Sequence, residues 1–156
     1  MRLVALFLLA LLAGGALASG PEVLSIAAPA GVRHFDLPQL EALGLKSLRT
    51  HTFWPADDGN DQGPLLADVL KSASIEQAGA LRFTGLDGFS QIIPREDWVR
   101  WPLLLATRRD GKPIYRHDKG PLRLIYPRDS DKTLEDPIYR LRWVWLLRSI
   151  EPVTLH

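Results

Sequence analysis

The fold is decided by the stretch FTGLDGFSQIIPREDW (residues 83–98), which continues as LLLATRRDGKPI (residues 103–114) and GPLRLIYP (residues 120–127). Apolar runs alternate here with the Asp-Gly pairs at residues 87–88 and 110–111, which is typical of short strands joined by tight connections. The sequence RDGK at residues 109–112 is a hairpin turn signal. The pattern predicts strands over residues 80–84, 89–93, 103–107 and 122–126.

The flanking segments add both kinds of secondary structure. Asp36 is a predicted N-cap for a short helix, and residues 64–72 have the apolar spacing of an amphipathic helix that Pro64 begins. Strands outnumber helices and interleave with them irregularly, which favours a single α+β domain with a mixed β-sheet and short helices. The remaining predicted elements are strands at 23–27, 32–35, 45–53 and 149–153, helical segments at 37–43 and 94–98, a polar loop at 56–63 and an exposed charged loop at 128–136.

The N-terminus has the features of a secretory signal peptide. Arg2 precedes an apolar run at residues 3–12, and Ala16-Leu17-Ala18 is a small-residue cleavage signal, so we expect cleavage after Ala18 and a mature domain over residues 19–156. A membrane anchor is the alternative, but the run is short for a span of about 20 residues. We therefore expect a periplasmic or secreted protein with no stable membrane span after cleavage. Without a twin-arginine pair, the general secretion route is favoured.

Composition excludes several classes of function. Without Arg2 the chain carries 18 basic and 18 acidic residues, so we expect no nucleic-acid partner and no polybasic membrane surface. The chain contains no cysteine, which removes disulfides and thiolate metal ligands. A domain of this size can be stable on its apolar core alone.

Four segments in order carry a family resemblance. They are GPLLADVLK at residues 63–71, DGFSQIIPREDW at 87–98, DGKPIYRHDKGPLRLIYP at 110–127 and RWVWLLRSIEPV at 142–153. Together the chain resembles the oxidoreductase molybdopterin-binding domain family, which is sulfite-oxidase-like. The resemblance implies that family's fold and, in catalytic members, a molybdenum ion held by a cysteine thiolate and a molybdopterin cofactor.

The position of that cysteine is the main departure from the family pattern. In catalytic relatives it lies shortly before a Trp, and here the candidates are Thr50, His51 and Thr52, ahead of Trp54. A threonine hydroxyl does not replace a soft anionic thiolate, and one imidazole is not a metal site. An export route that threads unfolded chains also argues against a cofactor inserted in the cytosol. We therefore expect no metal and no cofactor, with molybdopterin as the alternative.

The former cofactor cleft is the predicted ligand site. Its candidate residues are Thr50, His51, Trp54, Arg123 and Tyr126, and the catalytic residues are unknown. Arg123 alternates with two leucines on a predicted strand, so its side chain would either line the cleft and bind an anion or form an exposed surface ion pair.

Two further groups of residues have competing interpretations. His51 with Asp57, Asp58 and Asp61 would bind a hard divalent cation, or the aspartates would simply cap a solvated loop. The five tryptophans would form a stacking platform for a ring, or pack in the core. Trp143 and Trp145 would face the same side if their segment is a strand.

Three functions follow from these observations. The first is an exported accessory or sensory module that has lost the metal ligand and binds a small anionic or aromatic ligand or a protein partner. The second is a molybdopterin-dependent oxidoreductase with an atypical, cysteine-free metal site. The third is an interaction protein whose aromatic segment at residues 139–147 is a docking face.

Overall fold

The computed structural model describes residues 19–154. The predicted signal peptide at residues 1–18 lies outside the described residues. The domain consists of eleven strands and four short α-helices within that range, with 3-10 turns between them. The strands are β1 Glu22–Ala28, β2 Gly31–Asp36, β3 Lys46–Thr50, β4 Gly59–Gly63, β5 Ala80–Gly85, β6 Ser90–Pro94, β7 Leu104–Ala106, β8 Arg108–Arg109, β9 Lys112–Pro113, β10 Arg123–Ile125 and β11 Leu147–Pro152; the helices are α1 Leu37–Glu41, α2 Leu66–Ser72, α3 Arg95–Arg100 and α4 Pro137–Arg140.

The largest sheet has five strands in the order β2-β1-β11-β5-β6. β1 and β11 are parallel, with Ser25 opposite Ser149, and the other neighbours are antiparallel. The first and last strands of the described domain therefore lie side by side at the centre of this sheet. The α+β class with a mixed sheet is confirmed.

The remaining strands form two smaller sheets. β3, β4, β8 and β9 form one sheet and β10 pairs with β7 in another. The two are joined where the Thr107 amide donates to the Gln62 carbonyl at 2.8 Å and the Leu105 amide donates to the Pro64 carbonyl at 2.9 Å. The strands approach so closely that a Cβ on Gly63 would lie 2.0 Å from the Leu105 carbonyl oxygen. Glycine is therefore required at position 63.

The loop predicted over residues 56–63 is wrong in its second half. Residues 59–63 form β4, which pairs with all five residues of β3 on one side and with β8 on the other. Glycine, asparagine and aspartate disfavour strands locally, but pairing along both edges outweighs that preference. The sequence therefore indicated a turn where tertiary pairing imposes a strand.

The segment predicted as an exposed loop at residues 128–136 is also corrected. It contains two 3-10 turns, Arg128–Ser130 and Lys132–Glu135. Leu134 is completely buried in the core, so this segment is anchored to the domain. A leucine among eight charged or polar residues was the signal in the sequence, because an apolar side chain in such a segment has to pack somewhere.

Helix α1 connects the largest sheet to the sheet that contains β8. Asp36 caps it as predicted: its carboxylate accepts from the Gln39 amide at 2.8 Å and the Gln39 side chain accepts from the Asp36 amide at 2.9 Å. At its other end Glu41 receives a bidentate pair of bonds from Arg108, both at 2.8 Å. The Arg108 hydrogen bond, against partial burial, holds the pKa of Glu41 below its usual value. Within residues 19–154 no helix is long and apolar enough to span a membrane.

Candidate functional site: a tryptophan-lined pocket

A pocket of about 260 Å³ lies between the segment after β3, the β5–β6 turn and the segment before β11. We call it the tryptophan pocket. Its lining is mostly aromatic and carries one basic and one acidic side chain. The lining residues are Trp54, Asp87, Phe89, Arg140, Leu141, Trp143 and Trp145.

The three tryptophans hold one another in place. The ring centroids of Trp54 and Trp145 are 5.4 Å apart, those of Trp143 and Trp145 are 5.7 Å apart, and each pair packs edge to face. Phe53 adds an edge-to-face contact with Trp143 at 6.3 Å. Such contacts stabilise aromatic clusters beyond the area that they bury, by about 0.5–1.5 kcal/mol for each pair. The pocket wall is therefore formed by mutually supported rings.

The segment that carries Trp143 and Trp145 is neither strand nor helix, so the parity argument for their orientation does not apply. Leu146 has a positive φ of 54° directly after Trp145, which is uncommon for a residue with a branched side chain. Its amide donates to the Lys119 carbonyl at 2.9 Å and its carbonyl accepts from the Leu86 amide at 2.8 Å. These bonds fix the irregular backbone that turns both indoles towards Trp54.

Two charged side chains, from different segments of the chain, line the pocket. Arg140 ends α4 with an exposed side chain, and its guanidinium carbon lies 5.4 Å from the ring centroid of Trp54. Asp87, in the turn after β5, accepts from the Phe89 amide at 3.1 Å, which keeps Phe89 at the rim. The pocket thus offers aromatic rings, the Arg140 cation at its mouth and the Asp87 carboxylate.

The predicted site residues do not all reach this pocket. Trp54 lines it. Tyr126 is completely buried behind it, with its ring 6.2 Å from Trp143 and its hydroxyl donating to Asp97 at 2.7 Å. Burial, with the adjacent Asp97 charge, raises the pKa of Tyr126 well above its usual value. Tyr126 therefore supports the wall of the pocket.

Arg123 is also completely buried, so it is not the exposed strand arginine of the alternative interpretation. Its guanidinium carbon lies 4.0 Å from the ring centroid of Trp145, on β10 below the pocket. A ligand in the tryptophan pocket would meet Trp145 first and the Arg123 cation behind it.

Thr50 and His51 form a separate cluster with Asp129. The Asp129 carboxylate accepts from the His51 amide at 3.0 Å and lies 2.8 Å from its Nδ1 atom, while the Asp129 amide donates to the Thr50 hydroxyl at 3.1 Å. Although partial burial acts to raise it, the bonds from His51 lower the pKa of Asp129 below its usual value. These residues tie the end of β3 to the 3-10 turn after β10.

The same residues test the fit of a molybdenum ion. The Thr52 hydroxyl donates to the Trp54 carbonyl at 2.6 Å and accepts from the Trp54 amide at 2.9 Å, so it closes a local turn. The Thr50 hydroxyl donates to the His51 carbonyl at 3.4 Å and accepts from the Asp129 amide at 3.1 Å. Neither hydroxyl is a soft anionic ligand. Thr50 and Thr52, which lie where the resemblance predicts the ligand, therefore do not fit the metal that catalytic relatives hold by a thiolate.

The aspartates proposed as cation ligands are divided among different partners. Asp57 pairs with Lys119 and lies 3.7 Å from Arg109, while Asp58 accepts from the Thr52 amide at 2.6 Å. Asp61 is buried apart from them. Across residues 19–154 no three histidine or acidic side chains are arranged to hold a metal ion.

Four lining residues were missed at the sequence level: Asp87, Phe89, Arg140 and Leu141. The DGF sequence at residues 87–89 stood out only as a marker of the family, although an aromatic residue after a Gly turn is also a candidate for a pocket rim. Arg140 and Leu141 had no signal, because their place at the mouth depends on how α4 packs against the domain.

Comparison with known protein families gives one match, to the oxidoreductase molybdopterin binding domain over residues 59–130. The matched range runs from β4 to the 3-10 turn after β10, and it includes Arg123, Tyr126 and the DGF turn. No curated protein matches the chain. The resemblance predicted from the sequence is confirmed: residues 59–130 match the model of the oxidoreductase molybdopterin-binding domain family.

Proposed function

We propose that this protein is an exported member of its family that has lost the metal ligand and works as a ligand-binding accessory or sensory module. The observation that carries the proposal is the tryptophan pocket, with Arg140 at its mouth. Thr50 and Thr52 support it, because the Thr52 hydroxyl closes a local turn with Trp54 and the Thr50 hydroxyl accepts from the Asp129 amide.

The pocket favours a small flat aromatic anion as ligand. Edge-to-face tryptophans offer an apolar surface to a ring, and the exposed Arg140 guanidinium is placed to pair with a carboxylate at the pocket mouth. Pockets for drug-sized ligands occupy about 300–1,000 Å³, so a volume of about 260 Å³ suits a compound of one or two rings.

Calorimetric titration tests this with two probes of the same shape, 1-naphthoate and the neutral 1-naphthalenemethanol. We expect both to bind, and Trp54→Ala to weaken both. Arg140→Gln should weaken naphthoate about fivefold, the equivalent of about 1 kcal/mol, and leave the neutral probe unchanged. Arg116→Gln, which removes an exposed arginine elsewhere, is the matched control. Absence of binding, or an equal loss for both probes in Arg140→Gln, would contradict the proposal.

The second candidate function, a molybdopterin-dependent oxidoreductase with a cysteine-free site, is favoured by the family match itself. Molybdenum analysis and pterin fluorescence on protein purified from its exported compartment separate the two functions. We expect neither signal. Stoichiometric molybdenum together with pterin would favour the oxidoreductase function over the ligand-binding one.

The same preparation tests export. Mass spectrometry of the purified protein should give a chain that begins at Ser19. A full-length chain that starts at Met1 would contradict the predicted cleavage after Ala18.

A further inference from the structure

The tryptophan pocket is bordered by two side chains of opposite charge. Arg140, at the end of α4, and Asp87, in the β5–β6 turn, both line it. In the part of the chain that the structure describes, neither forms an ion pair with another side chain, and the Arg140 guanidinium donates no hydrogen bond. Among the same residues, Asp87 accepts only from the Phe89 amide, through Oδ1. One guanidinium and one carboxylate oxygen are therefore left for a ligand.

Two other cations near the tryptophan rings have carboxylate partners. Arg142 donates to both carboxylate oxygens of Asp97, at 2.9 and 2.8 Å. Lys119 lies 5.8 Å from the ring centroid of Trp145 and pairs with Asp57. The two charges that border the pocket differ from these cations, because a ligand can bind them without breaking an existing ion pair.

The turn that carries Asp87 fixes its carboxylate close to the backbone of Trp145. The Gly88 amide donates to the Gly85 carbonyl at 3.1 Å, and the Gly85 amide donates to the Phe89 carbonyl at 2.8 Å. A Cβ on Gly85 would lie 2.6 Å from Asp87 Oδ1 and 2.8 Å from the Trp145 carbonyl oxygen, so the absence of a side chain there makes room for both groups. A carboxylate held in place before binding loses little freedom when a ligand arrives.

The aromatic rings already face cations, which disfavours a ligand with positive charge alone. The guanidinium carbon of Arg123 lies 4.0 Å from the ring centroid of Trp145, and that of Arg140 lies 5.4 Å from the ring centroid of Trp54. A ligand cation stacked on either ring would be repelled by these arginines. Asp87 is the group that can accept from a ligand ammonium, and Arg140 is the group that can donate to a ligand carboxylate. Because these two charges cancel, a ligand that carries both groups leaves neither of them unpaired.

We propose that the ligand of the tryptophan pocket is a zwitterionic aromatic amino acid. Its ring packs against Trp54 and Trp145, its carboxylate accepts from Arg140 and its ammonium group donates to Asp87. This inference rests on the proposed function, since it names the class of compound that binds at the same pocket. The pocket volume of about 260 Å³ suits an amino acid whose side chain has one or two rings.

Calorimetric titration compares three compounds that share an indole ring on a two-carbon chain. L-tryptophan carries both charged groups, indole-3-propanoate lacks the ammonium group and tryptamine lacks the carboxylate. At about pH 7, where all of these groups are charged, L-tryptophan should bind at least about fivefold more tightly than either analogue, because each analogue leaves one pocket charge without a partner. Tryptamine should bind most weakly, since Arg140 repels its ammonium group.

Asp87→Asn is the decisive variant, because the Asn side-chain oxygen can still accept from the Phe89 amide while the negative charge is removed. It should weaken the binding of L-tryptophan about fivefold and leave that of indole-3-propanoate unchanged. Arg140→Gln should weaken L-tryptophan and indole-3-propanoate about fivefold, without weakening tryptamine. Asp68→Asn, which removes an exposed aspartate on α2, is the matched control and should change none of the three affinities.

The results separate this inference from the proposed function. If indole-3-propanoate binds as tightly as L-tryptophan, or if Asp87→Asn weakens both compounds equally, the amino-acid inference is overturned and a pocket for aromatic anions remains. If none of the three compounds binds and 1-naphthoate does not bind either, the proposed function is overturned as well.

Discussion

Replacing Asp61 by Asn should change how the stability of the domain depends on pH. The pKa of Asp61 is raised from 3.8 to about 6 in the folded protein, chiefly by burial. A carboxyl with a raised folded-state pKa favours the folded protein at low pH, and that contribution is lost as pH rises from about 4 through about 6. At about 1.4 kcal/mol for each pH unit, the displacement corresponds to about 3 kcal/mol.

The assay is urea unfolding of the wild type and Asp61→Asn at about pH 4 and about pH 7.5, in buffers without halide. Because Asn stays neutral, the variant should gain about 3 kcal/mol relative to the wild type between the two pH values. Asp68→Asn, on the exposed side of α2, is the matched control and should show a change of less than about 0.5 kcal/mol.

A constant difference between Asp61→Asn and the wild type at both pH values would refute the reasoning. That result would mean that the pKa of Asp61 is the same in the folded and unfolded protein, with Arg123 and Arg109 stabilising its charge as much as burial destabilises it. A difference that changes in the opposite direction would mean that Asp61 and Arg123 are a net stabilising ion pair at neutral pH.

Three further predictions concern the frame of the site. Gly63→Ala should prevent stable folding in a circular-dichroism melt, because its Cβ would lie 2.0 Å from the Leu105 carbonyl oxygen. Phe83→Ala should lower the free energy of unfolding by about 3–5 kcal/mol in a urea titration, since the ring is completely buried on β5. Tyr126→Phe should cost about 1–3 kcal/mol by the same assay, because it removes the hydroxyl donor to the buried carboxylate of Asp97; a neutral effect would show that Asp97 is satisfied without Tyr126.

Local signals in the sequence were sufficient for much of the fold. The RDGK turn forms the β8–β9 hairpin, and Asp36 and Gln39 form the predicted helix start. These features succeed because a turn or a cap is specified by residues that are neighbours along the chain. The strand at residues 59–63 was missed for the opposite reason, since its partners are supplied by β3 and β8.

The third sequence hypothesis, a docking face at residues 139–147, loses part of its basis. Trp143, Val144 and Leu147 are buried in the core, and Leu141 is exposed at the rim of the tryptophan pocket. The aromatic content of this segment is explained by packing and by the pocket wall. Composition showed that the segment was apolar, but only its path through the fold shows which side chains reach the surface.

The sequence by itself determined the family resemblance, the α+β class and the absence of a cysteine, because motifs in order, strand and helix patterns and composition are properties of the chain alone. The tertiary structure decided which candidate side chains are accessible. It leaves Trp54 partly exposed in the pocket and encloses Arg123 and Tyr126, although all three lie in similar aromatic surroundings. Accessibility depends on which layers cover a strand, and the β7 neighbour and the Trp145 ring that enclose Arg123 are placed by long-range packing.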